Sequence, residues 1–230
     1  MKRKRRIQTK LTDEKRLAFN AMRVAGHADE LRKVHIVEDS LVKRIALDLM
    51  RFRDKRAPSE YIIIQDVINS TNLPEIKFQE KAEVISFAGT PEVKTRTQRL
   101  ISNSSEIIQK LLTAFELIFP GCLNVTVKLL HSFPGDTEQV THTDFNYNSI
   151  IKRVRSLKAF HYSALVAIQL DSILLMGVRR EVINIPLNGM IFWRGNCPHA
   201  GGGYQISNSR IFISISSAFC PLSSDVYIIK

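Results

Sequence analysis

Gly189-Met-Ile-Phe-Trp-Arg-Gly-Asn-Cys-Pro-His199, then Ala-Gly-Gly-Gly-Tyr-Gln-Ile-Ser-Asn-Ser, then Arg210-Ile-Phe-Ile-Ser-Ile-Ser-Ser217: the reading of this stretch decides the fold. The Asn188-Gly189 turn signal opens a short apolar strand that runs into a loop carrying His199. A glycine-rich loop (Gly201, Gly202, Gly203) leads to an alternating run in which Arg210, Phe212, Ser214 and Ser216 share one face. Upstream, His142-Thr143-Asp144 follows the same strand logic. Residues two apart point the same way, so His142 and Asp144 can hold one metal while Thr143 faces away. With His199 from a second strand, the three complete a two-histidine, one-carboxylate set. Such a set leaves coordination positions open, as an Fe(II) that must bind a chelating cosubstrate and O2 requires.

A guanidinium is planar and permanently charged, and it meets a carboxylate with two parallel hydrogen bonds. Arg210 therefore suits the distal carboxylate of 2-oxoglutarate. In order and spacing, His142-X-Asp144, the distal His199 and Arg210 on the following strand resemble the Fe(II)/2-oxoglutarate-dependent dioxygenases. The resemblance covers residues 123–220. His131-Ser-Phe-Pro-Gly-Asp136 before the metal motif is similar to the prolyl-hydroxylase and AlkB-like branches, where a tyrosine followed by Pro-Gly occupies this place. Here Phe133 stands at the tyrosine position, and His131, on the same strand face, is the candidate to replace its contact to the cosubstrate. Phe212 stands where some branches carry a serine.

The resemblance implies a fold of the α+β class, mainly β: a double-stranded β-helix barrel, jelly-roll or cupin-like, with flanking N-terminal helices. It implies metal ligands His142, Asp144 and His199, cosubstrate contacts from Arg210 and His131, and the cofactors Fe(II) and 2-oxoglutarate. The implied reaction consumes O2 and 2-oxoglutarate, releases succinate and CO2, and hydroxylates or demethylates a substrate. One rival reading is a metal-dependent barrel that needs no keto acid. Another is a catalytically silent barrel serving as a basic nucleic-acid-binding or scaffold module.

The 230 residues, 44% hydrophobic, suffice for a substantial core. No apolar run reaches membrane-spanning length, and Met1-Lys-Arg-Lys-Arg-Arg6 lacks the apolar run of a secretory signal. An intracellular protein of the cytoplasm or nucleus is expected, with no membrane partner. Cys122, Cys197 and Cys220 match neither a disulfide framework nor a zinc pattern, which agrees with a reducing compartment; Cys197 reads as a small buried thiol.

The net charge of +11 is concentrated in residues 1–56, which carry 17 Lys and Arg against 8 Asp and Glu. The run Lys2 to Arg6 reads equally as a nuclear localisation signal, a phosphate-binding arm or a solvated tail. A second basic run, Lys152 to Lys158, follows Phe145 and Tyr147 soon after the metal motif. Cations beside aromatic residues suit phosphates and bases, so a nucleic-acid or protein substrate is expected.

Residues 1–57 read as a basic arm with helices packing on the main domain, and 58–230 as the dioxygenase domain. Behind Asp39-Ser40, the residues Leu41, Ile45, Leu49 and Phe52 form one apolar helical stripe. Residues 103–119 form the strongest helix, with Asn103 placed to cap it, Glu106 completing a capping box, and Ile107, Ile108, Leu111, Leu112, Phe115 and Ile118 as its buried stripe. Strands are expected at Tyr61 to Ile68 and Ala82 to Ala88, then at 123–133, 137–144, 159–170, 172–178, 181–187, 189–194 and 210–219. In 159–170 alternation turns only one of His161 and Tyr162 inward.

Overall fold

The computed structural model describes residues 28–54, 61–68, 83–84, 96–102, 105–120, 124–144, 161–216 and 227–228. Two antiparallel sheets make up its centre. The larger runs in the order β1 (Tyr61–Ile64), β9 (Met190–Arg194), β6 (His161–Ala167), β11 (Asn208–Ser216), β4 (Asn124–Ser132), β3 (Arg96–Leu100), β2 (Glu83–Val84). The smaller runs β12 (Tyr227–Ile228), β5 (His142–Thr143), β10 (His199–Gly201), β7 (Ser172–Met176), β8 (Glu181–Ile185). From β5 onward the chain passes repeatedly from one sheet to the other, with β9, β10 and β11 alternating between them. This winding is a double-stranded β-helix, the expected mainly β architecture.

The period of two explains why the strands of the larger sheet are so apolar. Ala164 and Val166 of β6, Met190 and Phe192 of β9, and Ile211, Ile213 and Ile215 of β11 all join the helices in one core. Their alternate neighbours, Leu165, Ala167, Ile191 and Trp193, with Phe212 against them, pack toward the smaller sheet with Leu174, Met176, Ile183 and Ile185. Both faces of these strands are buried, so polar residues on the inward face stand out. Phe192 centres the outer core, with ring centroids 5.1 Å from Tyr162, 5.5 Å from Phe52 and 5.7 Å from Phe115. Tyr162 thus belongs to the helix side and His161 to the barrel side, where its Nε2 lies 2.9 Å from Ser214 Oγ.

Among the described residues before β4 lie three helices: α1, described over residues 28–35, α2 (Ser40–Asp54) and α3 (Glu106–Ile118). The carboxylate of Asp39 accepts from the backbone N–H of Leu41 (2.9 Å) and Val42 (3.1 Å), satisfying two of the donors a helix start leaves open. Lys110 of α3 reaches the same carboxylate at 3.2 Å and ties the two helices together. Ile45, Leu49 and Phe52 are buried as the stripe requires, joined by Val42, Ala46 and Met50. Helix α3 buries Ile107, Ile108, Leu111, Ala114, Phe115 and Ile118, with Leu112 half-buried. It starts at Glu106, later than expected, behind Ser105, which makes no side-chain cap; Asn103 lies outside the described residues. The Arg53 guanidinium donates to the Ile118 carbonyl at 2.8 Å, satisfying an acceptor at the α3 C-terminus before Pro120.

The strand expected over 137–144 is reduced to His142–Thr143. The chain turns at Pro134-Gly135, where Gly135 takes a φ of 80° that favours glycine. Residues 135–139 then bond irregularly to the glycine-rich segment: Gly135 N–H to Tyr204 O at 2.9 Å, and Gln139 N–H to Gly201 O at 2.9 Å. Most of the expected strand Ala82 to Ala88 falls outside the described residues, as do both basic runs with Phe145 and Tyr147, and Cys122 and Cys220. Among the described residues no helix is long and apolar enough to cross a membrane.

Candidate metal centre

β5 and β10 pair antiparallel with His142 directly opposite His199, so two imidazoles from distant parts of the sequence project from neighbouring strands. Their ring centroids are 4.4 Å apart. His199 belongs to a strand and not to the expected loop, held on its other side by Met176 of β7. Asp144 lies two residues past His142, where the strand's alternation returns its side chain to the same face. One ligand atom from each of His142, Asp144 and His199 lies within 4.8 Å of the others.

The neighbours of each side chain set its orientation. His142 Nδ1 is 2.8 Å from Val140 O and His199 Nδ1 is 3.0 Å from Cys197 O. A carbonyl only accepts, so both Nδ1 atoms carry the proton and both Nε2 lone pairs remain for a metal. Ser163 Oγ donates to Asp144 Oδ2 at 2.6 Å, and His199 Nε2 lies 3.5 Å from the same oxygen. Burial pulls His142 down to about 4, assisted by the neighbouring His199. Burial also acts on Asp144 and His199, but their mutual attraction prevails: the carboxylate is held below its usual range and the His199 imidazole above its own. Two imidazoles fixed by second partners and an ionised carboxylate form a donor set that fits a borderline divalent ion such as Fe(II).

The cluster opens into a cavity of about 160 Å³, lined also by Gln98, Lys128, Gln139, Trp193, Arg210 and Phe212. One water needs roughly 10–15 Å³ of such space, so the cavity accommodates a small organic molecule. Arg210 is 2% exposed. Its guanidinium donates to Ser132 Oγ at 2.9 Å and Asn208 Oδ1 at 3.2 Å, and it stacks 4.5 Å from the centroid of the Tyr204 ring. It forms no ion pair among the described residues. Burial draws Arg210 down to about 10, which leaves it charged at neutral pH. A second buried arginine, Arg96, does have a carboxylate: it pairs with Asp136 and donates to the carbonyls of Thr137 (2.8 Å) and Gly202 (2.5 Å), bracing the wall behind Gly201. A side chain at Gly201 would meet the ends of the Arg96 and Gln139 side chains and require them to shift.

His131 requires correction. It lies opposite Ser209 in the β4–β11 register and its Nδ1 is 2.7 Å from Ser209 Oγ, whereas Arg210 lies opposite Leu130. His131 and Phe133 do share a face, but it is the face away from the cavity, and Phe133 is 44% exposed. Neither contacts the Arg210 pocket. Cys197 is a buried thiol packed among Leu165, Trp193 and their neighbours and is outside the ligand cluster. Sequence reasoning passed over Lys128, Gln98, Gln139, Trp193 and Ser163. For Lys128 a signal existed, a lone cation in the apolar run Val125 to Leu130; Ser163 and Gln98 carry none that distinguishes them from surface residues.

No family model matches the chain, and no curated protein matches it in sequence. Among solved structures it is similar to a prolyl 4-hydroxylase from Phytophthora capsici at 11% identity, over 77% of this chain and 64% of that one, with a TM-score of 0.50. It is also similar to a prolyl-4-hydroxylase from Pseudomonas putida (10% identity, 75% of this chain and 98% of that one, TM-score 0.48). A third neighbour is the non-heme alpha-ketoglutarate-dependent epimerase of nogalamycin biosynthesis (11% identity, 77% and 83%, TM-score 0.48). The likeness to the Phytophthora structure is one of fold, and it agrees with the double-stranded β-helix derived above.

Proposed function

We propose that this chain is an Fe(II)- and 2-oxoglutarate-dependent dioxygenase in which His142, Asp144 and His199 hold the iron and Arg210 receives the distal carboxylate of 2-oxoglutarate. The observation that carries the reading is Arg210: a buried cation without an anionic partner among the described residues, in the same cavity as a two-histidine, one-carboxylate cluster. An isolated buried charge is costly, so a site that keeps one is built for a ligand of opposite sign. Ferrous iron so held supplies the activation of O2 that couples decarboxylation of 2-oxoglutarate to oxidation of a substrate.

The protein's contribution is positional. The carbonyls of Val140 and Cys197 hold the neutral imidazoles in the tautomer that offers Nε2 to a metal, and Ser163 fixes the carboxylate. Leu165, Leu174, Trp193 and Phe212 form apolar walls that exclude water from the space between Arg210 and the cluster. Ser132 and Asn208 hold the guanidinium flat for two-point contact. In this reading residues 58–230 are the catalytic domain, and residues 1–57 are an N-terminal addition that serves a nucleic-acid or protein substrate.

The test is anaerobic reconstitution with Fe(II) and 2-oxoglutarate, then admission of O2 and measurement of succinate with nucleic acids, with peptides and with no addition. Succinate production that depends on both additions, and is lost in Arg210→Ala with metal uptake retained, is expected. Succinate release unchanged in that variant overturns the assignment and favours a barrel that needs no keto acid.

A further inference from the structure

We propose that Lys128 is a second anion-holding residue of this cavity, and that the substrate to be oxidised carries a carboxylate or phosphate group which Lys128 receives. The proposal rests on the reading of Arg210 and the metal cluster given above, and it narrows the substrate to an anion. Strand β4 turns Val125, Val127 and Leu129 toward the helices, so Lys128, Leu130 and Ser132 are its inward set. In the β4–β11 register Lys128 lies opposite Phe212, and Leu130 lies opposite Arg210. Lys128 is thus one two-residue step from the level of Arg210, roughly 7 Å along the strand. The step leads toward Ser214, whose partner on β6 is Ser163, the residue that holds Asp144. The Lys128 backbone therefore sits a step nearer the Ser163–Asp144 row than Arg210, while its ammonium reaches Gln98, which lies opposite Leu130 on β3, so both cations line the same cavity from neighbouring strands.

Its one described side-chain contact is to a neutral group. Lys128 Nζ donates to Gln98 Oε1 at 3.1 Å, a neutral acceptor, and no carboxylate among the described residues pairs with it. An ammonium has three donors, so Gln98 orients the group and leaves capacity for an incoming oxygen anion. The charge balance of the lining points the same way: the cations Arg210 and Lys128 face the single carboxylate of Asp144. A divalent metal and the 2-oxoglutarate dianion cancel one another, so a surplus positive charge stays with the wall. Arg210 is matched by the distal carboxylate of 2-oxoglutarate, and Lys128 is the residue left to be matched by the substrate.

The experiment uses the full chain loaded with Mn(II), with and without saturating 2-oxoglutarate. Acetate, methyl phosphate and neutral acetamide are titrated in, and the relaxation of their ¹H and ³¹P nuclei by Mn(II) is followed. Saturable enhancement for at least one anion and none for acetamide is expected, with the preferred anion telling carboxylate from phosphate. Lys128→Met should weaken that binding roughly ten- to a hundredfold, the worth of a hydrogen bond to a charged group. Mn(II) and 2-oxoglutarate affinities should stay unchanged, and Lys128→Arg should restore the anion. Equal anion binding by wild type and Lys128→Met overturns the proposal. So does a Lys128→Met variant that loses 2-oxoglutarate instead, which would assign the residue to the cosubstrate. Binding of Mn(II) without any 2-oxoglutarate binding overturns the reading of Arg210, and it is separable because the anion titration is also run without the keto acid.

Discussion

Lowering the pH should release the metal by protonating one of the two imidazoles and not both. In the metal-free protein His199 sits against the ionised Asp144, which raises its proton affinity above the ordinary value of 6.5 despite burial. His142 is pulled the other way, to about 4, by burial and by the positive charge His199 then carries. Asp144 stays ionised throughout this range, since His199 holds its carboxylate low against the effect of burial. The metal needs both imidazoles neutral. Affinity is therefore full above the His199 pKa and lost as pH falls through it, and His142 adds a second proton only near pH 4. Between pH 6.5 and 5.5 the association constant for Mn(II) should drop about tenfold, or about 1.4 kcal/mol, because one proton is taken up per ion released. Two histidines with ordinary pKa values would approach twice that slope on a logarithmic scale. The assay is the free Mn(II) signal by electron paramagnetic resonance at fixed ionic strength, with unfolding followed in parallel. A slope near two in this interval would show that burial does not keep His142 neutral. A slope of zero would show that His199 carries no proton against Asp144.

Further perturbations separate the residues that hold the site from those near it. Ser163→Ala removes the donor that fixes Asp144 and should weaken Mn(II) binding about 10- to 100-fold, measured by the same titration, with little change in thermal unfolding. His131→Ala should leave 2-oxoglutarate affinity unchanged by calorimetry on the Mn(II) form, at a stability cost of about 1 kcal/mol from the lost Ser209 contact. Phe192→Ala, at a fully buried side chain among four rings, should cost about 3–5 kcal/mol in denaturant unfolding. Gly201→Ala places a methyl against Arg96 and Gln139 and should destabilise by about 1–3 kcal/mol, with loss of Mn(II) affinity because β10 also carries His199.

What was legible in the sequence was what local period encodes. Residue alternation in β11 correctly separated Arg210, Phe212 and Ser214 from Ile211, Ile213 and Ile215, and the helical stripes of α2 and α3 emerge close to their expected members. The His142–Asp144 spacing brought two candidate ligands to one face by the same rule, and the third, His199, joins them in space. Period, however, gives only relative facing. It put His131 and Phe133 on one side of β4 without saying which side. The pairing of Arg210 with Leu130 decides that, and it turns His131 outward and Lys128 inward. The three-residue strand β10 was illegible for a related reason. Nothing in Pro198-His199-Ala200-Gly201 has strand character of its own; the segment is extended because His142 bonds on one side and Met176 to Leu174 on the other. The His142–Asp144–His199 cluster is therefore a product of cross-strand register more than of motif. Each ligand sits on or beside a strand too short to form alone, so displacing β10 should abolish metal binding even with all three ligands intact. In such a fold a residue's role follows from the partner strand that fixes its direction, and this is why Lys128, in the sequence only a lone cation among apolar residues, emerges as a wall of the cavity.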